Sequence, residues 1–266
     1  MASGGGMAAW SFLSALALAT MLAPAGAAAE LAAQHRRDIA RLAESRGVAA
    51  GEVAPLVEEI DRAASRGLPA GPLANKVKEG LAKGVPPARV QTVLRGLVGN
   101  MDSAVGLLGT VPDAALRARA IEVLAEALGR GVTAEDVKRL AQGAGAAPAE
   151  SLAFGAKGWA LLREAGIPSD DGVALMSEAM RHGFRSADLL ALAREVSRRR
   201  DEFASGRASL DAVREAVRRG ERPERVMPPE RVEWRERAPV PPVPERPERP
   251  PEPPAERPDR PERPPR

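Results

Sequence analysis

The chain has no cysteine and no tyrosine, and only two histidines occur among its 266 residues. The absence of cysteine excludes a disulfide framework, a thiolate zinc site, an iron–sulfur cluster and a cysteine nucleophile. The two histidines are 147 positions apart, which excludes a His-rich metal site within one stretch of sequence. The motifs of nucleotide-binding loops, zinc proteases, serine hydrolases and EF-hands are also missing. We therefore predict no catalytic residue, no cofactor, no metal and no enzymatic activity.

Aromatic residues are scarce as well, at 3% of the chain. Few rings are thus available to stack on bases or sugars. The 39 basic residues are nearly matched by 36 acidic ones, so the net charge is only +3. The abundance of arginine, together with alanine, glycine and proline, is what GC-rich coding produces, so it is not a nucleic-acid signal. We expect no nucleic-acid partner.

The N-terminal residues resemble a targeting segment in composition. Residues 7–23 are apolar and uncharged, and Pro24 and the tripeptide Ala27-Ala28-Ala29 precede Glu30. An apolar core, a helix breaker and a small-residue cleavage site are typical of a secretory signal peptide. The run is near or below the roughly 20 residues needed to span a bilayer. We predict a signal peptide over residues 1–29, a periplasmic or extracellular location and no transmembrane segment in the mature chain, with a membrane anchor or a buried helix as alternatives.

The C-terminal residues form a segment of different composition. Residues 221–266 hold 16 of the 25 prolines, with 11 arginines and 11 acidic residues. Such a segment has too few apolar groups to offset its ordering entropy, so we predict a disordered tail with polyproline II character. Residues 244–250 and 258–264 repeat Pro-acidic-Arg with period three, which matches three residues per polyproline II turn. The tail is then a stiff spacer, a docking peptide or a low-complexity segment without a partner.

Residues 30–220 are predicted to form an all-α domain of nine or ten short helices. A junction recurs in which a helix is followed by glycine, an apolar residue and then a cap or proline. Glycine in that position ends a helix in the left-handed conformation. Thr133 and Asp136 form a predicted capping box, and Pro72 and Pro87 suit first turns. The junction glycines are Gly47, Gly67, Gly84, Gly131, Gly166 and Gly183.

Apolar residues between the junctions follow the helical period. Gly99, Gly106 and Gly109 weaken one of these stripes and are candidate break points. Some junction glycines are 35 to 37 positions apart, which indicates degenerate helical hairpins packed as a short solenoid or an irregular bundle. The stripes are Val53, Leu56, Val57 and Ile60; Val90, Val93, Leu94, Leu97, Met101, Val105 and Leu108; Leu116, Val123, Leu124 and Leu128; and Leu189, Ala193, Val196 and Phe203.

The densest basic stretch of this domain runs from Arg194 to Arg219. One interpretation is an exposed helix laced with local ion pairs. The other is contact with an anionic surface, such as lipid head groups or cell-wall polymers. The arginines that would make this contact are Arg194, Arg198, Arg199, Arg200, Arg214, Arg218 and Arg219.

One short segment is similar to an enzyme motif. Glu150-Ser151, followed by Phe154-Gly155-Ala156-Lys157-Gly158-Trp159, resembles the catalytic region of lysozyme-like lytic transglycosylases. The resemblance implies that Glu150 is the general acid/base of peptidoglycan cleavage. The gap between the two pieces is shorter than in that family, and the family's tyrosines have no counterpart here. A helix start at Pro148, with Glu150 in its first turn, is the alternative.

These features predict an exported, non-enzymatic helical protein that binds or scaffolds a component of the cell envelope. Its partner, a protein or an envelope polymer, is not identified by the sequence. A direct binder of anionic cell wall or lipid, acting through the arginine-rich stretch and the tail, is the alternative. A peptidoglycan-cleaving enzyme that uses Glu150 is a remote third.

Overall fold

A computed structural model describes residues 24–222, and helices are the only regular secondary structure in this part of the chain. The prediction of an all-α protein is confirmed over these residues. Eleven helices occur in this range where nine or ten were expected, because a five-residue helix separates at Arg200–Ala204. Most of the predicted signal peptide, residues 1–29, and most of the predicted tail, residues 221–266, lie outside the described residues, so both predictions stay untested. The helices are α1 (Pro24–Ser45), α2 (Ala50–Ser65), α3 (Ala70–Ala82), α4 (Pro87–Leu108), α5 (Ala114–Gly129), α6 (Ala134–Ala144), α7 (Ala149–Glu164), α8 (Ser169–Arg181), α9 (Ser186–Arg198), α10 (Arg200–Ala204) and α11 (Leu210–Arg218).

Six helix ends have the junction that the sequence predicts. Their glycines have φ between 67° and 89°, in the left-handed region. At each junction the N–H of the next, apolar residue donates to the carbonyl five positions earlier, as Val48 does to Ala43 at 2.9 Å and Phe184 to Ala179 at 3.0 Å. This is the Schellman arrangement. It turns the apolar residue back onto the helix just completed and fixes the direction in which the next helix starts.

The helices pack in two layers. One layer places α2, α4, α5, α7 and α9 side by side. In the other layer, α1 lies beside α3, α6 lies beside α8, and α8 lies beside α11. The long helix α4 also contacts α3 and α6 and so links the two halves of the second layer. Most helices therefore contact their next and next-but-one neighbours, which is typical of stacked helical hairpins, while α8 with α11 and α4 with α7 are contacts three places apart in helix order.

Hydrogen bonds connect successive units at nearly the predicted repeat distance. The Ser177 hydroxyl on α8 donates to the Leu140 carbonyl on α6 at 3.4 Å, across 37 positions. The Ser197 hydroxyl on α9 donates to the Leu161 carbonyl on α7 at 3.3 Å, across 36 positions. Both bonds link helices of the same layer, and they connect α8 to α6 and α9 to α7.

The core is lined by most of the predicted stripes, with two exceptions. Val93 and Leu116 are 49% and 47% exposed, so their assignment to the core was wrong. Val93 is adjacent to the buried Leu94, and one position turns a side chain by about 100° around the helix axis. Leu116 lies in the first turn of α5, where its N–H donates to the capping carboxylate of Asp113 at 2.8 Å. Local position, rather than hydropathy, therefore decides the exposure of both residues.

Helix α4 runs unbroken through two of the glycines at which a break was considered. Gly99 and Gly106 lie inside it, and a Cβ at either would meet no atom within 4 Å. Glycine lowers helix stability by about 1 kcal/mol relative to alanine but keeps its backbone N–H, so the hydrogen-bond ladder persists. The helix ends only at Gly109, where φ is 65°.

Glycines within α7 and α8 are closely surrounded by other atoms, unlike those of α4. Their lack of a side chain permits close contacts between helices. A Cβ on Gly158 would lie 2.6 Å from Sδ of Met176, and one on Gly155 would lie 2.7 Å from Sδ of Met180. A Cβ on Gly172 would lie 2.3 Å from Cζ3 of Trp159. Backbone and side chain meet directly at these positions, and more than half of the residues of both α7 and α8 are buried.

No helix within residues 24–222 is both long enough and apolar enough to cross a lipid bilayer.

Candidate functional site

The arginine-rich helices α9, α10 and α11 divide into an inward-facing and an outward-facing set. Arg214 and Arg218 on α11 face inward and hold the carboxylate of Glu178 on α8. Arg214 Nε donates to Oε2 at 2.9 Å, and Arg218 Nε donates to Oε1 at 2.6 Å. The Glu178 side chain is only 5% exposed. These two arginines therefore attach α11 to the domain and do not extend an outer basic face.

The protonation of Glu178 follows from this arrangement. Burial alone would raise the pKa of its carboxyl group, but hydrogen bonds from Arg218 and Arg214 outweigh burial and lower that pKa below its ordinary value of 4.5. Arg181 adds a longer contact, with Nη2 3.4 Å from Oε1. The group is thus an anion held by three guanidinium groups, and α11 adds Val213, Ala216 and Val217 as buried apolar contacts.

Three further arginines of the predicted set pair mainly within their own helix or with the next residues of the chain. Arg199 holds Glu202 through Nε at 2.9 Å and Nη2 at 2.6 Å. Arg219 contacts Glu221 at 2.7 Å and, more distantly, Glu215. Arg198 contacts Glu195 at 2.9 Å, one turn earlier on α9. Such local pairs on an exposed helix surface contribute little stability. The side chains of Arg198 and Arg219 remain largely exposed, whereas that of Arg199 is 21% exposed.

Three of the seven predicted arginines converge on one shallow depression, which we call the arginine groove. Arg194 and Arg198 on α9 and Arg200 on α10 line it, and its volume is about 330 Å³. Arg194 has no hydrogen bond or ion pair within residues 24–222. Within the same residues, the one ion-pair partner of Arg200 is the neighbouring, exposed Asp201, at 3.6 Å. The remaining lining residues are Leu161, Glu164 and Ala165 on and after α7, and Ser197 on α9.

The one carboxylate in this lining is already paired. Glu164 accepts a two-point contact from the Arg130 guanidinium, whose Nε is 2.7 Å from Oε1. The pairing with Arg130 holds the pKa of Glu164 below its usual range, against the effect of burial. Arg163 lies nearby and donates to the Arg130 carbonyl at 3.2 Å. The arginine groove therefore combines a small apolar floor with excess positive charge, which suits an anionic ligand.

A second buried carboxylate, that of Asp136, takes part in capping the N-terminus of α6. The predicted capping box is confirmed, because Thr133 N donates to Asp136 Oδ2 at 3.1 Å and Asp136 N donates to Thr133 Oγ1 at 3.0 Å. Burial alone would raise the pKa of Asp136, but Thr133, Arg139 and the indole N–H of Trp159 lower it. That indole N–H is buried and has no hydrogen-bond partner among the described residues. This carboxylate serves helix capping.

The segment that resembles the transglycosylase motif lies in α7. Glu150 is in the first turn of this helix and contacts Arg119 of α5, with 3.5 Å between Oε1 and Nε. The Arg119 guanidinium lies over the Phe154 ring, 5.4 Å from its centre. Gly155 and Gly158 are the residues of close helix packing described above. Each part of the segment thus has a structural contact in α7.

Depressions also occur elsewhere in the described residues, and two of them are well defined. An apolar groove of about 660 Å³ lies between α1 and α2, and Ile39, Val53 and Val57 are among the residues that line it. A polar one of about 480 Å³ lies where α8 turns into α9, with His182, Arg185 and Arg222 around it. Sequence reasoning found neither, because each depends on which turns the packing brings together.

The described residues contain no group of three or more histidine, aspartate or glutamate side chains arranged to hold a metal ion. Comparison of the chain with protein-family models, with curated proteins and with solved structures finds no match.

Proposed function

We propose that this protein is an exported, non-enzymatic helical module that binds or scaffolds a component of the cell envelope. The observation that carries the proposal is the repeated two-layer packing, whose units are joined by hydrogen bonds such as that from Ser177 to Leu140. Stacked helical units present extended surfaces to partners. In addition, the buried carboxylates Asp136 and Glu178 are both held by structural partners. Their chemistry supports architecture rather than a reaction.

Export is the part of this proposal that is tested first. We expect the full chain, produced in a secreting bacterial host, to accumulate outside the cytoplasm with a mature N-terminus at or near Glu30. A matched variant with Leu13→Arg and Leu16→Arg interrupts the apolar run and is expected to remain in the cytoplasm at full length. Cytoplasmic retention of the unmodified chain, with Met1 or Met7 still present, would remove the envelope from the proposal.

Direct binding of anionic wall polymer or lipid is the second candidate, and the arginine groove favours it. Purified protein is sedimented with cell-wall sacculi and, separately, with phosphatidylglycerol vesicles, at low and moderate salt. We expect any such binding to weaken with salt and to be reduced in an Arg194→Glu, Arg198→Glu variant. Arg89→Glu with Arg95→Glu on α4 is the matched control, since both of these arginines are exposed. Equal sedimentation of the two variants would exclude the groove as the contact.

Peptidoglycan cleavage through Glu150 is the remote third proposal. It predicts release of soluble muropeptides from sacculi, and loss of that release in Glu150→Gln. The contact with Arg119 makes Arg119→Gln the control for an effect on packing alone.

A further inference from the structure

We propose that two copies of this chain form a dimer through the groove between α1 and α2, with their α1 helices antiparallel and Ala40 on the two-fold axis. This inference goes beyond the proposed function, since it requires neither export nor an envelope partner. It starts from the terminal pair of the helical array. Stacked arrays keep a polar outer face on their terminal units, because no further unit covers that face. The first pair of described helices instead presents an apolar groove.

The groove has the small side chains that let a helix approach closely. Ala40 and Ala43 of α1 and Ala54 of α2 line it. Ala40 and Ala54 are exposed, and the floor is apolar, with Ile39 1% and Val53 5% exposed. The interaxial distance of packed helices, about 8–10 Å, depends on the side chains at the contact, so small residues permit the shorter spacing. A helix of a second copy can therefore lie against α1 and α2 together.

The charges along α1 favour a second copy as the occupant. Arg36, Ala40 and Glu44 all line the groove at intervals of four positions, so a basic and an acidic residue lie about 6 Å on either side of Ala40 along the helix. A two-fold axis through Ala40 reverses the second α1 and places Arg36 of each copy opposite Glu44 of the other. The two contacts are then identical, which is the self-complementarity of an isologous dimer.

Both charged residues are available for this contact. Glu44 is exposed and has no ion-pair partner within residues 24–222. Arg36 contacts Asp61 of α2 at 2.8 Å, but the two side chains are 52% and 41% exposed. A guanidinium group has five N–H donors, so Arg36 can hold Asp61 and a second carboxylate together. Glu58 of α2 also lines the groove, and Arg37, exposed beside Arg36, supplies a further cation.

The last described helices differ from the first pair in a way that limits the assembly to two copies. Helices α9 and α10 carry exposed arginines, such as Arg198 and Arg200, rather than an apolar groove. Contacts between two unlike surfaces continue from copy to copy into filaments, whereas a surface that pairs with itself is used up in one contact. The expected assembly is therefore a closed dimer.

The absence of cysteine makes the axis testable in the full chain, because an introduced cysteine is its only thiol. Ala40→Cys should form an intermolecular disulfide under mild oxidation, since the two thiols meet on the axis. Ala88→Cys on α4, exposed and outside the groove, is the control and should remain a free thiol. Ala40→Glu places two carboxylates on the axis and should give a monomer in analytical ultracentrifugation, whereas Ala88→Glu should keep the dimer.

Charge exchange tests the pairing across the axis. Arg36→Glu and Glu44→Arg should each raise the dissociation constant of the dimer about tenfold, because the symmetry counts each change twice. The two changes combined in one chain restore opposite charges at both contacts and should return the dissociation constant close to that of the unmodified chain. Asp61→Asn removes only the pair within one chain and should leave the dimer intact.

Three results would overturn the proposal. The first is an unmodified chain that sediments as a monomer at every soluble concentration. The second is a dimer that persists in Ala40→Glu, because the association then uses another surface. The third is a double charge variant that associates no better than the single variants, because Arg36 then does not face Glu44.

Discussion

Arg218 reaches back 40 positions along the chain to place its Nε 2.6 Å from Oε1 of the buried Glu178. Arg214 holds the other carboxylate oxygen of Glu178, so one anion on α8 determines where α11 packs. Removal of this carboxylate would leave the guanidinium groups of Arg214 and Arg218 without their anionic partner, next to the buried apolar residues between α8 and α11. The arginines are themselves partly exposed, which reduces the cost through solvent screening.

Glu178→Ala is expected to lower the free energy of unfolding by about 2–3 kcal/mol, measured by urea denaturation. Protease sensitivity should rise first between α10 and α11, because α11 loses its main polar attachment. Glu215→Gln is the control, since Glu215 contacts Arg218 on the exposed side and should change stability by about 0.5 kcal/mol or less. Similar losses in the two variants would contradict the role given to Glu178.

The lowered pKa of Glu178 predicts how stability depends on pH. The folded state binds this proton less readily than the unfolded state, whose carboxyl group has the ordinary value of 4.5. The contribution is therefore complete above that value and is lost as pH falls through the lower, folded pKa. Asp136 acts in the same direction. Urea midpoints measured from pH 7 downward should decline in acid, and Glu178→Gln should flatten that decline; an unchanged slope would count against the linkage.

The exposed carboxylate of Glu79 provides a comparison with the buried Glu178 in the loss of stability at acid pH. Lys76 and Lys83 lower the pKa of Glu79 to about 2, but all three side chains are exposed to solvent. Salt screens such pairs more than buried ones. The effect of Glu79→Gln on the acid limb should therefore vanish at about 1 M salt, whereas that of Glu178→Gln should persist. Loss of both effects in salt would show that the Glu178 cluster is more open than its burial indicates.

Glycine-to-alanine substitutions should have opposite signs in α4 and α8. Gly96→Ala and Gly99→Ala add a Cβ where nothing lies within 4 Å, so each should stabilise the protein by about 0.5–1 kcal/mol. Gly172→Ala would place its Cβ 2.3 Å from the Trp159 ring and should destabilise by about 1–3 kcal/mol. Thermal or urea unfolding of the three variants measures both effects. A destabilised Gly99→Ala would indicate that something approaches this face of α4 closely.

The capping box supplies a local test of the α6 start. Thr133→Ala removes the hydroxyl that accepts from the Asp136 N–H and should cost about 1 kcal/mol. Thr92→Ala is the matched control, because the Thr92 hydroxyl bonds only the Ala88 carbonyl on the exposed face of α4. Its effect should stay within about 0.5 kcal/mol. The difference between the urea midpoints of the two variants measures the contribution of the Thr133 cap to stability.

Local signals in the sequence were sufficient to find most helix ends. Glycine followed by an apolar residue predicts the Schellman junction because the motif is satisfied within six consecutive residues. The end at Gly145 was missed, and Gly109 was identified only as one of three candidate break points. At both glycines ψ is far from the Schellman value, at −149° for Gly109 and −134° for Gly145, and neither is followed by a large apolar residue that folds back. Helix α10 was missed because its single turn carries too few residues for a periodic pattern.

The candidate site was predictable only as a set of residue types. The sequence identifies an arginine-rich stretch, but it does not separate Arg194 from Arg218. That separation depends on Glu178, 36 and 40 positions from its arginine partners, and on the packing of α11 against α8. Long-range pairing of this kind follows from tertiary contacts, which leave no local periodicity.

The hydrogen bonds from Ser177 to Leu140 and from Ser197 to Leu161 also bear on how the domain opens. Each helix is supported by near neighbours in a one-dimensional array, so local unfolding begins at the ends and proceeds inward. Helix α7, with neighbours in both layers, should keep its amide protons longest in hydrogen exchange. Helices α1 and α11 should exchange first. A ligand bound to the terminal helices would therefore slow amide exchange even in helices that it does not contact, because it prevents the local unfolding that begins at the ends of the array.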